Sequence, residues 1–124
     1  MIAVDTSSMM AFLQGEAGSD VELVQSALEH HQLVLPPLVL TEMLSEPSLT
    51  ATVQALLAGL PLLDIEPGYW ERAGRLRASV LKQRRKARVA DALIAQSCLD
   101  QSVPLVTRDK DFRHFARRAG LALM

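Results

Sequence analysis

The 124-residue chain is long enough to close one domain around a hydrophobic core without a structural metal or disulfide staples, and its 49% hydrophobic and 22% charged residues exclude a disordered polypeptide. The lone cysteine, Cys98, excludes an intramolecular disulfide; with no basic leader-like start and no apolar run near the roughly 20 residues of a membrane span, a soluble cytoplasmic protein is expected. The net charge of −1 hides an asymmetry: residues 1–71 carry ten acids and no Lys or Arg, whereas residues 72–124 carry all 13 basic residues and only four acids.

In chain order, Met1–Val4 is a short apolar run ending in Asp-Thr-Ser-Ser, the pattern of a buried strand feeding a helix cap. A helix through Met9, Met10, Phe12 and Leu13 should stop at Gly15. Ser19-Asp20 is placed to cap a second helix, with Val21, Val24, Ala27 and Leu28 on its inner face. Leu33–Leu35 reads as the second strand, and Pro36-Pro37 suits the first turn of a helix carrying Val39, Leu40, Met43 and Leu44. A further helix through Val53, Leu56 and Leu57 ends near Gly59, and Leu62–Ile65 is a third strand candidate. The pattern then predicts helix from Tyr69 to about Lys86 and again over Val89–Leu99. Val103–Val106 is a fourth strand, a last helix starts at or beside Asp109, and Leu121–Leu123 is a candidate fifth strand. Strands alternating with helices imply one α/β domain over residues 1–124, with right-handed crossovers, a mostly parallel sheet and helices on both faces.

Four acids stand where such a sheet builds its sites, beyond the carboxyl ends of the strands. Asp5 directly follows the first strand, and Asp109 lies three residues after Val106. Asp91 falls in the first turn of its helix, where the positive end of the helix dipole favours a carboxylate. Glu42 sits between Thr41 and Met43 in the helix after the second strand, an unobvious place for a charge. Converging carboxylates repel one another and need a cation to stay ionised together. Hard cations such as Mg²⁺ and Mn²⁺ favour oxygen donors, lower the pKa of a bound water and neutralise charge growing on a phosphate. His30, His31 and His114 have no Cys or Ser partner by spacing and read as solvated helix residues.

Ile2-Ala-Val-Asp-Thr-Ser, Thr41-Glu42, Ala90-Asp91-Ala-Leu-Ile-Ala and Val106-Thr-Arg-Asp109-Lys-Asp111-Phe112 together resemble the PIN-domain family, and within it the VapC-like toxins of toxin–antitoxin pairs. The resemblance spans essentially the whole chain in order. It implies a three-layer α/β/α fold with a short, mostly parallel sheet. It also implies an Mg²⁺- or Mn²⁺-dependent endoribonuclease that cuts RNA by a metal-activated water, a homodimer, and inhibition by a cognate antitoxin. Asp5, Glu42, Asp91 and Asp109 match the family's acidic quartet. Asp111 matches a position that is acidic less constantly, and Thr6 or Ser7, with Thr107, match polar positions that hold a carboxylate or a metal-bound water.

Lys82, Arg84, Arg85, Lys86 and Arg88 form a dense basic stretch just before Asp91, and no acid occurs between residues 72 and 88. Such a surface attracts a phosphate backbone by counterion release, so these residues are the expected RNA contacts. The Leu- and Met-rich helices before residue 60 are the expected source of dimer or antitoxin contacts. Two rivals remain: a receiver-like signalling module, which fits poorly because Lys110 adjoins Asp109 instead of ending a strand alone, and a PIN-like binding module that has lost catalysis.

Overall fold

The computed structural model describes residues 1–124. Its order is β1 (Ile2–Val4), α1 (Thr6–Leu13), α2 (Ser19–Glu29), β2 (Leu33–Val34), α3 (Pro37–Leu44), α4 (Ala51–Ala58), α5 (Tyr69–Lys82), α6 (Val89–Gln101), β3 (Leu105–Val106) and α7 (Phe112–Ala119). The three strands form a parallel sheet in the order β2-β1-β3, with Ile2 opposite Leu33 and Val4 opposite Val106. From β1 the chain first moves to one edge and then returns across it to the other. Right-handed crossovers in opposite directions put their helices on opposite faces. Accordingly α1 packs on α2, whereas α5, α6 and α7 pack on one another.

The expected third and fifth strands each shrink to one parallel residue pair. Leu62 pairs with Leu35, outside β2, and Leu123 pairs with Leu105, outside β3. Pro61 has no N–H to extend the first ladder, and Asp64, Ile65 and Glu66 are exposed, with no burial to reward pairing. The basic stretch is also not helical to Lys86. Helix α5 ends at Lys82, and Arg84 takes a left-handed φ of 57°, so residues 83–88 form a loop. The last helix begins at Phe112, not Asp109, because the side chains of Thr107 and Asp109 first hold the backbone in successive turns.

The core is a cluster of 24 buried residues drawn from every layer. The sheet contributes Ala3, Val4, Leu33, Val34, Leu105 and Val106; Met9, Met43, Leu57, Val80, Ile94, Phe112 and Phe115 close over it from the helices. Sheet residues are apolar on both faces, as a strand covered by helices on each side requires. No helix is long and apolar enough to cross a membrane.

Candidate metal centre

The sheet register builds the first part of the site. Because Val4 lies opposite Val106, the next residues along both strands, Asp5 and Thr107, emerge side by side; the Asp5 N–H still donates to the Val106 carbonyl at 3.1 Å. Asp5 leaves the strand in an extended conformation and caps α1, accepting from the Ser8 N–H at 3.0 Å. Ser7 Oγ donates to the same carboxylate at 2.8–2.9 Å and Thr107 Oγ1 at 2.6 Å. Burial raises the Asp5 pKa above the usual carboxylate range, the Ser8, Thr107 and Ser7 hydrogen bonds oppose that shift, and the Asp109 charge adds to it. Both oxygens are thus held in place by named donors.

Thr107 links this carboxylate to the next one. Its hydroxyl accepts from the Asp109 N–H at 3.0 Å, and Asp109 Oδ1 in turn accepts from the Asp111 N–H at 2.9 Å. Two successive side-chain-to-backbone turns therefore aim the loop after β3. On the opposite wall, Asp91 is the third residue of α6, whose N-cap, Arg88, supplies no side-chain cap. Carboxylate oxygens of Asp91, Asp109 and Asp111 lie within 4.8 Å of one another.

Asp91 carries the least satisfied group of the three. It is only 8% exposed, and its Oδ2 is buried without any hydrogen-bond partner. Desolvation pushes its pKa up to about 6, with repulsion from Asp109, Asp5 and Glu42 adding to the rise and Arg88 opposing it. An unpaired, buried carboxylate oxygen is costly, and a bound cation removes that cost. A divalent ion with oxygen preference fits this donor set, which offers no sulfur or imidazole.

The sequence-expected residues divide into groups here. Asp91, Asp109 and Asp111 converge, so Asp111 lies in the same carboxylate cluster as Asp91 and Asp109. Asp5 adjoins them, with both carboxylate oxygens held by Ser7, Ser8 and Thr107. Glu42, in the last turns of α3, accepts from Thr6 Oγ1 at 2.7 Å, so Thr6 and Ser7 serve different acids. Of the basic stretch, Lys86 reaches Asp111 at 3.7 Å and Arg88 stands close enough to Asp91 to influence its titration. Lys82, Arg84 and Arg85 are exposed and form no ion pair.

One supporting residue was not legible in the sequence. Arg108, between Thr107 and Asp109, bonds Asp20 at 2.8 and 3.1 Å, Glu16 at 3.4 Å and the Ala17 carbonyl at 3.3 Å. Ser8 donates to the same Asp20 at 2.8 Å, and Arg108, the larger influence, holds the Asp20 pKa down at about 2. The clamp ties the Asp109 loop to the α1–α2 corner. Its only sequence signal was an arginine inside an acid-rich turn, and its partners lie about 90 positions away.

Comparison with known proteins agrees with this architecture. The model of the PIN domain matches residues 2–118. No curated protein matches in sequence. Among solved structures, the chain is similar to one in VapBC-1 from nontypeable Haemophilus influenzae, with TM-score 0.77 and 19% identity over 100% of this chain and 97% of that one. VapBC2 from Rickettsia felis, bound to a DNA fragment from its promoter, gives 0.74 and 19% over 100% and 98%. FitAcB from Neisseria gonorrhoeae gives 0.72 and 20% over 100% and 96%.

Proposed function

The chain belongs to the PIN-domain family, and from that premise we propose that it is a metal-dependent endoribonuclease acting as the toxin of a toxin–antitoxin pair. The observation that carries the catalytic reading is the buried, unpartnered Asp91 Oδ2 grouped with Asp109 and Asp111. The similarity to chains of VapBC-1, VapBC2 and FitAcB supports the biological role.

Asp91, Asp109 and Asp111 would hold Mg²⁺ or Mn²⁺. When bound, the ion supplies Lewis acidity, lowering the pKa of a water and offsetting charge that grows on the phosphate. Asp5, fixed by Thr107, Ser7 and Ser8, presents a carboxylate of set orientation to that centre, where it can orient a water or add to the ion's shell. Glu42, tethered by Thr6, adds its negative charge from the α3 side, where it contributes to the raised Asp91 pKa. Lys82, Arg84, Arg85, Lys86 and Arg88 draw the phosphate backbone of RNA towards the acids, and Lys86, 3.7 Å from Asp111, links the basic stretch to them. A cognate antitoxin protein and a second copy of the chain complete the proposed assembly.

The test incubates the purified protein with folded RNAs in Mg²⁺, in Mn²⁺ and in chelator, beside an Asp5→Asn variant. Cleavage should require metal and be lost in the variant. Cleavage indifferent to both chelation and the substitution overturns the metal-site reading, and no cleavage of any RNA by the metal-loaded protein leaves a binding module instead.

A further inference from the structure

Helices α5 and α7 are separated on their outer side by a shallow basic groove distinct from the acidic centre. It consists of two adjoining cavities of about 310 and 390 Å³ that share Arg75, Ser79 and Arg118. Helix α5 presents Arg72, Arg75, Ser79 and Lys82 at spacings of three and four residues, which puts them along one face. Arg118 faces them from the last turn of α7.

Beyond Arg72, the groove's charge has no ion-pair partner. Arg75, Lys82 and Arg118 are exposed and form no ion pair. The acids nearby lie at the Arg72 end: Asp100 is occupied by Arg72 at 3.1 Å and by Gln96 at 2.8 Å, and Glu71 and Glu66 also act on Arg72. Cations gathered without partners repel one another and disfavour the compact state, and a polyanion relieves that repulsion.

Two features select the polyanion. No aromatic side chain lines the groove and its one large apolar residue, Leu76, is itself buried, whereas a docked protein segment relies on buried apolar or aromatic contacts for affinity. At the Lys82 end it runs into the 83–88 loop, whose Lys86 contacts Asp111 at the acidic centre. A strand seated in the groove would therefore continue towards the three acids.

We infer that the α5–α7 groove is a second RNA-binding site, in which Arg75, Arg118 and Lys82 hold backbone phosphates at a distance from the acidic centre. This deepens the ribonuclease reading and rests on it for the identity of the polyanion. The site explains why Arg75 and Arg118, far apart in sequence and outside the 82–88 stretch, face one another across a gap.

The test measures affinity by fluorescence anisotropy as a function of KCl, in chelator, for a labelled RNA hairpin with single-stranded flanks and separately for polyglutamate. The proteins are the unsubstituted chain, the double variant R75E/R118E and the conservative double variant R75K/R118K. The charge reversal should weaken RNA binding about tenfold at low salt and flatten the log–log salt slope by roughly 1.4, the value for two single-strand phosphate contacts. The lysine pair should keep the slope, which separates loss of charge from loss of fold. An unchanged slope in R75E/R118E overturns the groove, as does a response of polyglutamate alone. Cleavage by the unsubstituted protein in Mg²⁺ or Mn²⁺ is scored apart: groove-dependent RNA binding without cleavage supports the groove and refutes the nuclease, whereas no RNA binding at all overturns both.

Discussion

Replacing Asp91 by Asn should stabilise the metal-free protein at neutral pH while abolishing its response to metal. The Asp91 carboxyl goes from an ordinary value near 3.8 to about 6 on folding, chiefly through desolvation and the Asp109 charge. A rise of about two pKa units corresponds to at most about 3 kcal/mol of destabilisation when the group is ionised. Solvent screening at the pocket mouth brings the working figure to about 1–2 kcal/mol. The native state binds this proton more tightly than the unfolded state, so stability is lost as pH rises through the interval from about 4 to about 6. The advantage of Asp91→Asn should therefore be full at pH 7.5 and shrink to about a third of that near pH 4.5.

Urea or thermal unfolding of chelator-treated protein reads this directly, as a rise of roughly 3–8 °C in Tm at pH 7.5. Adding Mg²⁺ or Mn²⁺ should reverse the order, because an ion at a hundred times its Kd stabilises the unsubstituted protein by about 2.7 kcal/mol. A metal-free Asp91→Asn variant that is less stable than the unsubstituted protein at pH 7.5 refutes a desolvation cost at Asp91. That result would mean Arg88 already stabilises the carboxylate and no ion is needed to do so.

Thr107→Val removes the donor to Asp5 and the acceptor for the Asp109 N–H; it should cost about 1–3 kcal/mol by unfolding and about 10–100-fold in metal affinity or cleavage, with Thr107→Ser retaining both. Arg108→Ala should lower Tm at neutral pH, and the gap from the unsubstituted protein should close as pH falls from about 4 towards 2, because the paired Asp20 contributes its stability only while ionised; a gap independent of pH would remove the ion pair from the explanation. Cys98 is fully buried, with a thiol pushed up to about 12 by desolvation, so thiol reagents at pH 8 should label it only in denaturant.

Much of the architecture was legible because short strands and amphipathic helices leave different periodicities. Ile2–Val4 could be placed in the middle of a covered sheet by its unbroken apolar run, and Asp5 followed at its carboxyl end. Leu62–Ile65 and Leu121–Leu123 carry similar apolar signals, yet only one residue of each pairs in the sheet. Propensity cannot weigh such a run against edge exposure, which is set by what lies alongside. The basic stretch failed as a helix for a related reason: Arg84 is a tolerable helix former, and only the need to turn the chain back from α5 into α6 forces its left-handed conformation.

By itself the sequence determined which carboxylates were available, and that three of them, Asp5, Asp91 and Asp109, belong at strand ends or helix starts. Strand-end placement is a local property, carried by apolar runs and the polar residues that end them. It also determined that all the positive charge lies in the second part of the chain. Tertiary structure decided how the acids divide: Asp111 stands with Asp91 and Asp109, Asp5 is locked by Thr107 across the β1–β3 register, and Glu42 is tethered by Thr6. It decided too that Arg75 and Arg118 share a groove and that Arg108 clamps Asp20. Each of these is a contact between distant segments, and its distance depends on strand register and helix packing, which no local pattern of residues contains.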